Sequence, residues 1–262
     1  MKFFLHATRQ LFGNFRDALR IGGVLIMFFL IEDVGVATGV LQGEVNPQGY
    51  KLNFALQIFS LYFGAIVAIV WHRFILCGER GDIAQEFGRK GRERGYPYFG
   101  RLLLISFLAL VPAAAIFFLI GDVILPAFDI PIGYVRLGQF TPLFGFWLTL
   151  FCAGLMLLWV ANRLSLSLPA VALDTRISLR AAWRQTSPHS IDIFVFCLLF
   201  LCVGAAFIFV AELLPPLAVD NTVARVAIAS ITSFGTWVTT MLSISLLTTI
   251  YGHAVEGRPL NA

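Results

Sequence analysis

The feature that most restricts this chain is a series of apolar runs, several of them as long as a membrane-spanning helix, which needs about 20 mostly apolar residues. Of the 262 residues, 58% are hydrophobic and 13% are charged, whereas about a quarter are charged in a soluble domain. The sequence therefore predicts an all-α, polytopic membrane protein whose single integral membrane domain covers residues 1–262.

Six spans are predicted, arranged as three hairpins. They cover residues 21–40, 54–76, 102–120, 143–162, 191–213 and 223–251. Polar or Pro-containing segments separate them. One such segment, residues 121–142, contains Asp129 and Pro131 and is expected to lie on the far surface, because proline disfavours a spanning helix.

Basic residues predict the orientation, because Lys and Arg near span ends are retained on the cytoplasmic side during insertion. Placing the termini, the 72–101 loop and residues 163–190 on one side leaves Lys51, Arg136 and Arg225 as the exceptions among 19 Lys and Arg. We therefore expect both termini in the cytoplasm. The basic residues behind the formal charge of +4 lie near the ends of the spans, which argues against a nucleic-acid partner.

Two amphipathic segments are predicted to lie at the cytoplasmic interface. The first covers residues 3–20, with one face formed by Phe4, Leu11, Phe15 and Ala18. The second follows Pro169, which is expected to turn the chain along the inner surface, and it directs Leu179 and Trp183 away from its arginines. Each cation near an anionic surface contributes about 1 kcal/mol. The predicted contacts with anionic lipid headgroups are Arg9, Arg16, Arg20, Arg176, Arg180 and Arg184.

A cytoplasmic segment followed by two spans occurs three times, which predicts same-direction repeat units at residues 3–76, 82–162 and 176–251. Hydropathy carries most of this prediction. Local matches add to it: VWHRF and VANRL place Arg73 and Arg163 at equivalent positions after the second and fourth spans.

The carboxylates of Glu32 and Asp33 lie about 18 Å along the first span from Arg20 if that helix is upright. Carboxylates inside a membrane are candidates for a functional site. The alternative is that the span tilts or starts one turn earlier, so that both groups reach the far headgroups. Gly35 and Gly39, which suit helix contact near a span end, favour this alternative slightly.

A stripe of hydroxyl side chains follows one side of the sixth span. A polar translocation path is one interpretation, and packing between helices is the preferred one, because Ser and Thr bond their own helix and allow close approach. The stripe consists of Ser233, Thr236, Thr240 and Ser243, with Thr232 and Thr239 alongside.

Motifs for catalysis, metal binding and cofactor binding are not recognised in the sequence. The four histidines, His6, His72, His189 and His253, are expected near cytoplasmic span ends, without the spacing of a metal site. We therefore predict no catalytic residues, no metal and no cofactor.

The pattern R-L-x-L-x-L-P-A-x-A at residues 163–172, followed by S-L-R-x-A-W-R-x-T at residues 178–186, resembles a group of uncharacterised bacterial six-span inner-membrane proteins. This group is similar to the membrane domain attached to some glycerophosphodiester phosphodiesterases. The resemblance implies a fold and a location, and it transfers no catalytic residue.

Two functions are compatible with these patterns. The first hypothesis is a non-catalytic scaffold or accessory partner of another membrane protein, based on the absence of a recognisable site and on broad apolar faces. The second is a small transporter or lipid-handling protein that uses Glu32, Asp33 and the hydroxyl stripe.

Overall fold

The computed structural model describes residues 2–41, 47–79, 89–125, 140–213 and 221–260. In these ranges the chain is helical and forms no strand. We number the α-helices in chain order: α1 (Lys2–Gly13), α2 (Phe15–Ala37), α3 (Pro47–Cys77), α4 (Arg89–Phe118), α5 (Phe140–Leu164), α6 (Ser167–Ala172), α7 (Leu179–Gln185), α8 (Ser190–Leu213) and α9 (Thr222–Ala254). The predictions for the far-surface loop at 126–139, with Arg136, and for the turn at 214–220 lie outside the described residues.

Five helical stretches among the described residues are long and apolar enough to cross a membrane. They are Lys51–Cys77, Glu93–Ile124, Gly145–Ala172, Ser187–Ala205 and Thr222–Ala254. The predicted all-α class is confirmed, and these stretches coincide with the second to sixth predicted spans. Pro112 lies inside α4.

The first predicted span differs from the others. Helix α2 contains 23 residues, which makes it about 35 Å long. Only the eleven residues from Ile21 to Ile31 separate the charge of Arg20 from that of Glu32. Consequently α2 is long enough to cross a bilayer, but it does so only with Glu32 and Asp33 inside the apolar layer or at its edge.

The N-terminal amphipathic segment is two helices rather than the single one predicted for residues 3–20. Helix α1 ends at Gly13, and α2 begins at Phe15. The buried positions of α1 are Phe3, Ala7 and Leu11, at a spacing of four residues. Leu11 and Ala18 of the predicted face are buried, and Phe4 and Phe15 are half-buried against the core, so this face is directed inward although it belongs to two helices.

Helix α2 packs closely against α9. The Trp237 indole N–H donates to the carbonyl oxygen of Gly22 at 3.0 Å. A Cβ atom on Gly22 would lie 2.6 Å from that indole nitrogen, so only glycine permits this approach. Helix α4 packs against α5, which also contacts α8.

The segment from Arg163 to Ala170 is buried at eight consecutive positions. A helix buried on all sides belongs to the core rather than to a surface. Pro169 lies in the first turn of α6, where its missing N–H costs no helical hydrogen bond. The prediction that Pro169 breaks the span and turns the chain is therefore wrong: the turn occurs at Asp174, which has a left-handed φ of 57°.

Arg163 fastens the second amphipathic segment to the end of α5. Its guanidinium lies 3.6 Å from the ring centroid of Trp183 and 5.2 Å from that of Trp159. The same group donates to the carbonyl of Trp183 at 2.9 Å and to the hydroxyl of Ser187 at 2.8 Å. These contacts turn Trp183 and Thr186 inward, as the amphipathic pattern predicts, while Arg180 and Arg184 stay exposed.

Candidate functional site

A cavity of about 500 Å³ lies between α2, α3, α4, α9 and the turn that joins α5 to α6. Helix α3 presents one continuous face to it, from Gln57 through Leu61 and Gly64 to Ala68. This face spans about 16 Å, at 1.5 Å per residue. Small residues on α3 leave the space, and apolar side chains of the other helices form most of the walls: Leu25, Phe29, Leu102, Leu168, Ile244 and Leu247.

The two ends of the cavity differ in exposure. At one end Gln57 and Leu61 are exposed on the surface of α3. At the other end Tyr98 and Ser165 line the cavity and are buried. The cavity is thus open to the surroundings of the bundle at one end and closed in the core at the other.

A hydrogen-bonded triad of buried side chains lies behind the closed end. His72, predicted to lie near the end of the second span, is fully buried in the bundle. Its Nδ1 lies 2.8 Å from the hydroxyl of Thr248, and its Nε2 lies 3.2 Å from the hydroxyl of Tyr98. The core encloses His72 because α3 is buried on every side from Ala65 onward.

The hydrogen bonds of the triad define its protons. Thr248 donates its hydroxyl to the carbonyl of Ile244 at 2.8 Å, so towards His72 it accepts. Nδ1 of His72 therefore carries a proton, and in the neutral form of the ring Nε2 accepts from Tyr98. Every polar atom of the triad has a partner.

Ser165 differs from the other hydroxyl groups of the cavity. Its residue is 6% exposed, and among the described residues no group bonds its hydroxyl. By contrast, Ser60 donates to the carbonyl of Gln57 and Thr240 donates to that of Thr236. Ser165 lies in the turn between α5 and α6, so its hydroxyl is a free polar group at the closed end.

Glu32 and Asp33 reach different neighbours. Gln57 donates to Glu32 at 3.0 Å, and Ser233 donates to Asp33 at 2.7 Å. Each carboxylate thus ties α2 to another helix, and Gln57 connects Glu32 to the open end of the cavity. Gln57 lies about 9 Å along α3 from Lys51 and about 24 Å from Arg73.

The predicted hydroxyl stripe bonds mainly within its own helix. Ser233 also donates to the carbonyl of Ala229, Thr240 to that of Thr236, and Ser243 to that of Thr239. Thr240 lines the cavity. Of the predicted intramembrane polar residues, the structure therefore brings Thr240 to the cavity wall, and Glu32 to the residue that marks its open end.

The arginines predicted to contact lipid all lie on exposed positions. They are Arg9, Arg16, Arg20, Arg176, Arg180 and Arg184. A different set of arginines ties helices together: Arg73 donates to the carbonyl of Ala172 at 2.9 Å, and Arg94 binds both carboxylate oxygens of Asp174. The hydrogen bond from Arg94 lowers the pKa of Asp174, with Arg73 adding to the attraction.

A second pocket of about 480 Å³ lies beside the N-terminal helix, where His189 and His253 meet. Their ring centroids are 5.2 Å apart, and Phe3 contacts both rings edge-on. His253 Nδ1 donates to the carbonyl of Arg258 at 2.9 Å. Within the described residues no group of three His, Cys, Asp or Glu side chains is placed to hold a metal ion.

Comparisons with family models, curated proteins and solved structures gave no match. The cavity, the His72 triad and the free hydroxyl of Ser165 went unrecognised in the sequence. One signal was present: small residues at Gly64, Ala65 and Ala68 recur on one face of an otherwise bulky apolar helix. That pattern usually indicates close helix packing, and only the positions of the neighbouring helices show that here it leaves space.

Proposed function

We propose that this chain is a six-span inner-membrane protein that binds the acyl chain of a lipid inside its helix bundle. The observation that carries the proposal is the apolar cavity with one open and one closed end. Pockets for small ligands typically measure about 300–1,000 Å³ and are mostly apolar, with a few polar groups. The cavity, at about 500 Å³, falls within this range.

The length of the cavity supports a lipid ligand in particular. The face that α3 contributes spans about 16 Å, close to half of the roughly 30 Å hydrocarbon core of a bilayer. One acyl chain of a single leaflet therefore matches the cavity in length. Entry requires no passage through water, because exposed apolar side chains such as Leu61 surround the open end.

Besides the five long helices, the proposal requires α2 to cross the membrane, with Glu32 and Asp33 inside the apolar layer. Lys51 and Arg73 are separated by about 33 Å along α3, which matches the hydrocarbon thickness. Gln57, the partner of Glu32, lies between these two cations. Hydrogen bonds from Gln57 and Ser233 compensate part of the cost of placing the two carboxylates there.

The proposed orientation keeps both termini in the cytoplasm, as the distribution of basic residues favours. Exposed arginines of α1, α2 and α7, with Arg176 ahead of α7, would then contact anionic headgroups of the inner leaflet. The resemblance of residues 163–186 to bacterial inner-membrane proteins agrees with this location.

A scaffold function has no specific support in the geometry. Large apolar side chains are exposed along α4, among them Phe107, Val111 and Phe118. Lipid covers such a face in any membrane protein, so its exposure does not distinguish a protein partner from the bilayer.

The test fills the cavity without a clash. A Cβ atom at Gly64 would meet nothing within 4 Å, so Gly64→Leu places a side chain in the cavity. Gly204→Leu in α8 is the matched control, because a Cβ there also meets nothing within 4 Å. We expect the Gly64 variant to retain less lipid after detergent purification than wild type, measured by mass spectrometry of extracted lipid, and the control to retain as much. Equal retention by all three proteins would rule out the cavity as the lipid site.

A further inference from the structure

Two buried serines leave their hydroxyl groups without a hydrogen-bond partner among the described residues. Ser245 on α9 is fully buried, and its Oγ has no partner. Ser165 is 6% exposed and lines the cavity. A buried polar group without a partner costs about 1–3 kcal/mol, which applies to the enclosed hydroxyl of Ser245, whereas Ser165 lines the cavity and its hydroxyl is not enclosed. Only at Ser165 does the cavity offer space for a partner.

The hydrogen-bond chemistry of the closed end is specific. Tyr98 uses its proton on His72, so towards the cavity its hydroxyl oxygen only accepts. The hydroxyl of Ser165 still has a proton to donate. At this end of the cavity, among the described residues, Ser165 is therefore the available donor, and the atom that it binds must be an acceptor.

The surroundings restrict that acceptor further. The walls near Ser165 are apolar, formed by Ala68, Leu168 and Ile244. No cation lines the cavity among the described residues, and a bare carboxylate or phosphate would be costly to bury there. A neutral carbonyl oxygen satisfies Ser165 at the lowest cost.

We propose that Ser165 binds the carbonyl oxygen of a protonated fatty acid at the closed end of the cavity, and that the hydrocarbon chain of the acid extends towards Gln57. This inference rests on the proposed acyl-chain site and assigns its polar end. A phospholipid ester offers the same carbonyl, but its glycerol and phosphate would have to lie beyond the closed end, in the packed core.

The experiment uses the full chain purified in detergent and compares Ser165→Ala with Ser245→Ala. The control removes a buried, unpartnered hydroxyl outside the cavity. Binding of hexadecanoic acid and of hexadecane is measured by equilibrium dialysis. Phospholipid is measured as phosphate retained after purification from vesicles of dipalmitoyl phosphatidylglycerol.

For a free acid, we expect Ser165→Ala to weaken binding of hexadecanoic acid about five- to tenfold, the loss of one hydrogen bond. Binding of hexadecane stays unchanged, because it has no acceptor. The retained phosphate stays unchanged in this variant, because a phospholipid headgroup has no space beyond the closed end. The Ser245 control matches wild type in each measurement.

The outcomes separate this inference from the proposed function. If Gly64→Leu lowers binding and Ser165→Ala changes neither hexadecanoic acid nor phospholipid, the acyl-chain site stands and the role of Ser165 is wrong. Equal losses for hexadecane and hexadecanoic acid in Ser165→Ala would also overturn the inference, since they would indicate a change of shape. If Gly64→Leu has no effect, both proposals fail together.

Discussion

Two stretches of the chain, residues 65–72 and residues 163–170, are each buried at eight consecutive positions. They differ in whether their polar side chains are hydrogen-bonded. In the first, both ring nitrogens of His72 are hydrogen-bonded. In the second, Arg163 is 5% exposed and fully engaged by Trp183, Thr186 and Ser187. The hydroxyl of Ser165, two residues further on, has no partner among the described residues.

The difference separates two uses of a buried polar group. A group with all its partners in place contributes to the fold, and its removal leaves those partners without hydrogen bonds. A group without a partner contributes little to the fold, and its removal should be nearly free of cost. Replacing His72 or Arg163 should therefore lower the stability of the fold. Removing the hydroxyl of Ser165 should instead lower ligand binding and leave the stability nearly unchanged.

The largest expected loss of stability follows Arg163→Met. The change removes the stacking on two tryptophans and the hydrogen bonds that the guanidinium donates to the carbonyl of Trp183 and the hydroxyl of Ser187. We expect the free energy of unfolding to fall by about 3 kcal/mol. It is measured by denaturation in mixed micelles. Arg180→Met is the control, since this exposed arginine of α7 should change stability by less than about 0.5 kcal/mol. Equal effects would show that Arg163 does not fasten α7.

A smaller loss is expected at the His72 triad. Tyr98→Phe removes the donor to Nε2, and His72→Phe leaves the Tyr98 hydroxyl buried without an acceptor. Each single change should cost about 1–3 kcal/mol. Because both remove the same hydrogen bond, the double variant should cost less than the sum of the two. Additive losses in the same denaturation assay would contradict the hydrogen bond between these residues.

The smallest effect is expected at Asp174, which is exposed but bound by Arg94. Because its folded pKa is lowered, the bridge contributes fully above the ordinary pKa of aspartate, about 3.9, and is lost as the pH falls through the folded value. Asp174→Asn tolerates the left-handed backbone and removes the charge. We expect it to cost at most about 1 kcal/mol at pH 7 and nothing once wild-type Asp174 is protonated. A difference that persists at low pH would assign the effect to the backbone instead.

Parts of the fold followed from the sequence because they depend on local composition. The apolar runs predicted the five long helices, since a run of about 20 apolar residues has few alternatives. The exposure of Arg180 and Arg184 and the inward direction of Trp183 followed from helical periodicity. The break at Asn14 was missed, because the amphipathic pattern continues across it from Leu11 to Ala18.

The site could not be predicted because its parts are far apart in the chain. His72 and Thr248 are separated by 176 positions, and a histidine that directly follows an apolar run is equally typical of an interface. Whether small residues such as Gly64 admit a neighbouring helix or leave a cavity depends on where that helix lies.

The sequence by itself determined which helices are long and apolar enough to cross a membrane. The reason is that the free energy of transferring an apolar side chain from water is proportional to its area and independent of its neighbours. Tertiary structure alone decided which polar groups have partners. A hydrogen bond requires two atoms about 3 Å apart, and only the packed bundle sets that distance. The satisfied His72 and the free hydroxyl of Ser165 are both consequences of that packing.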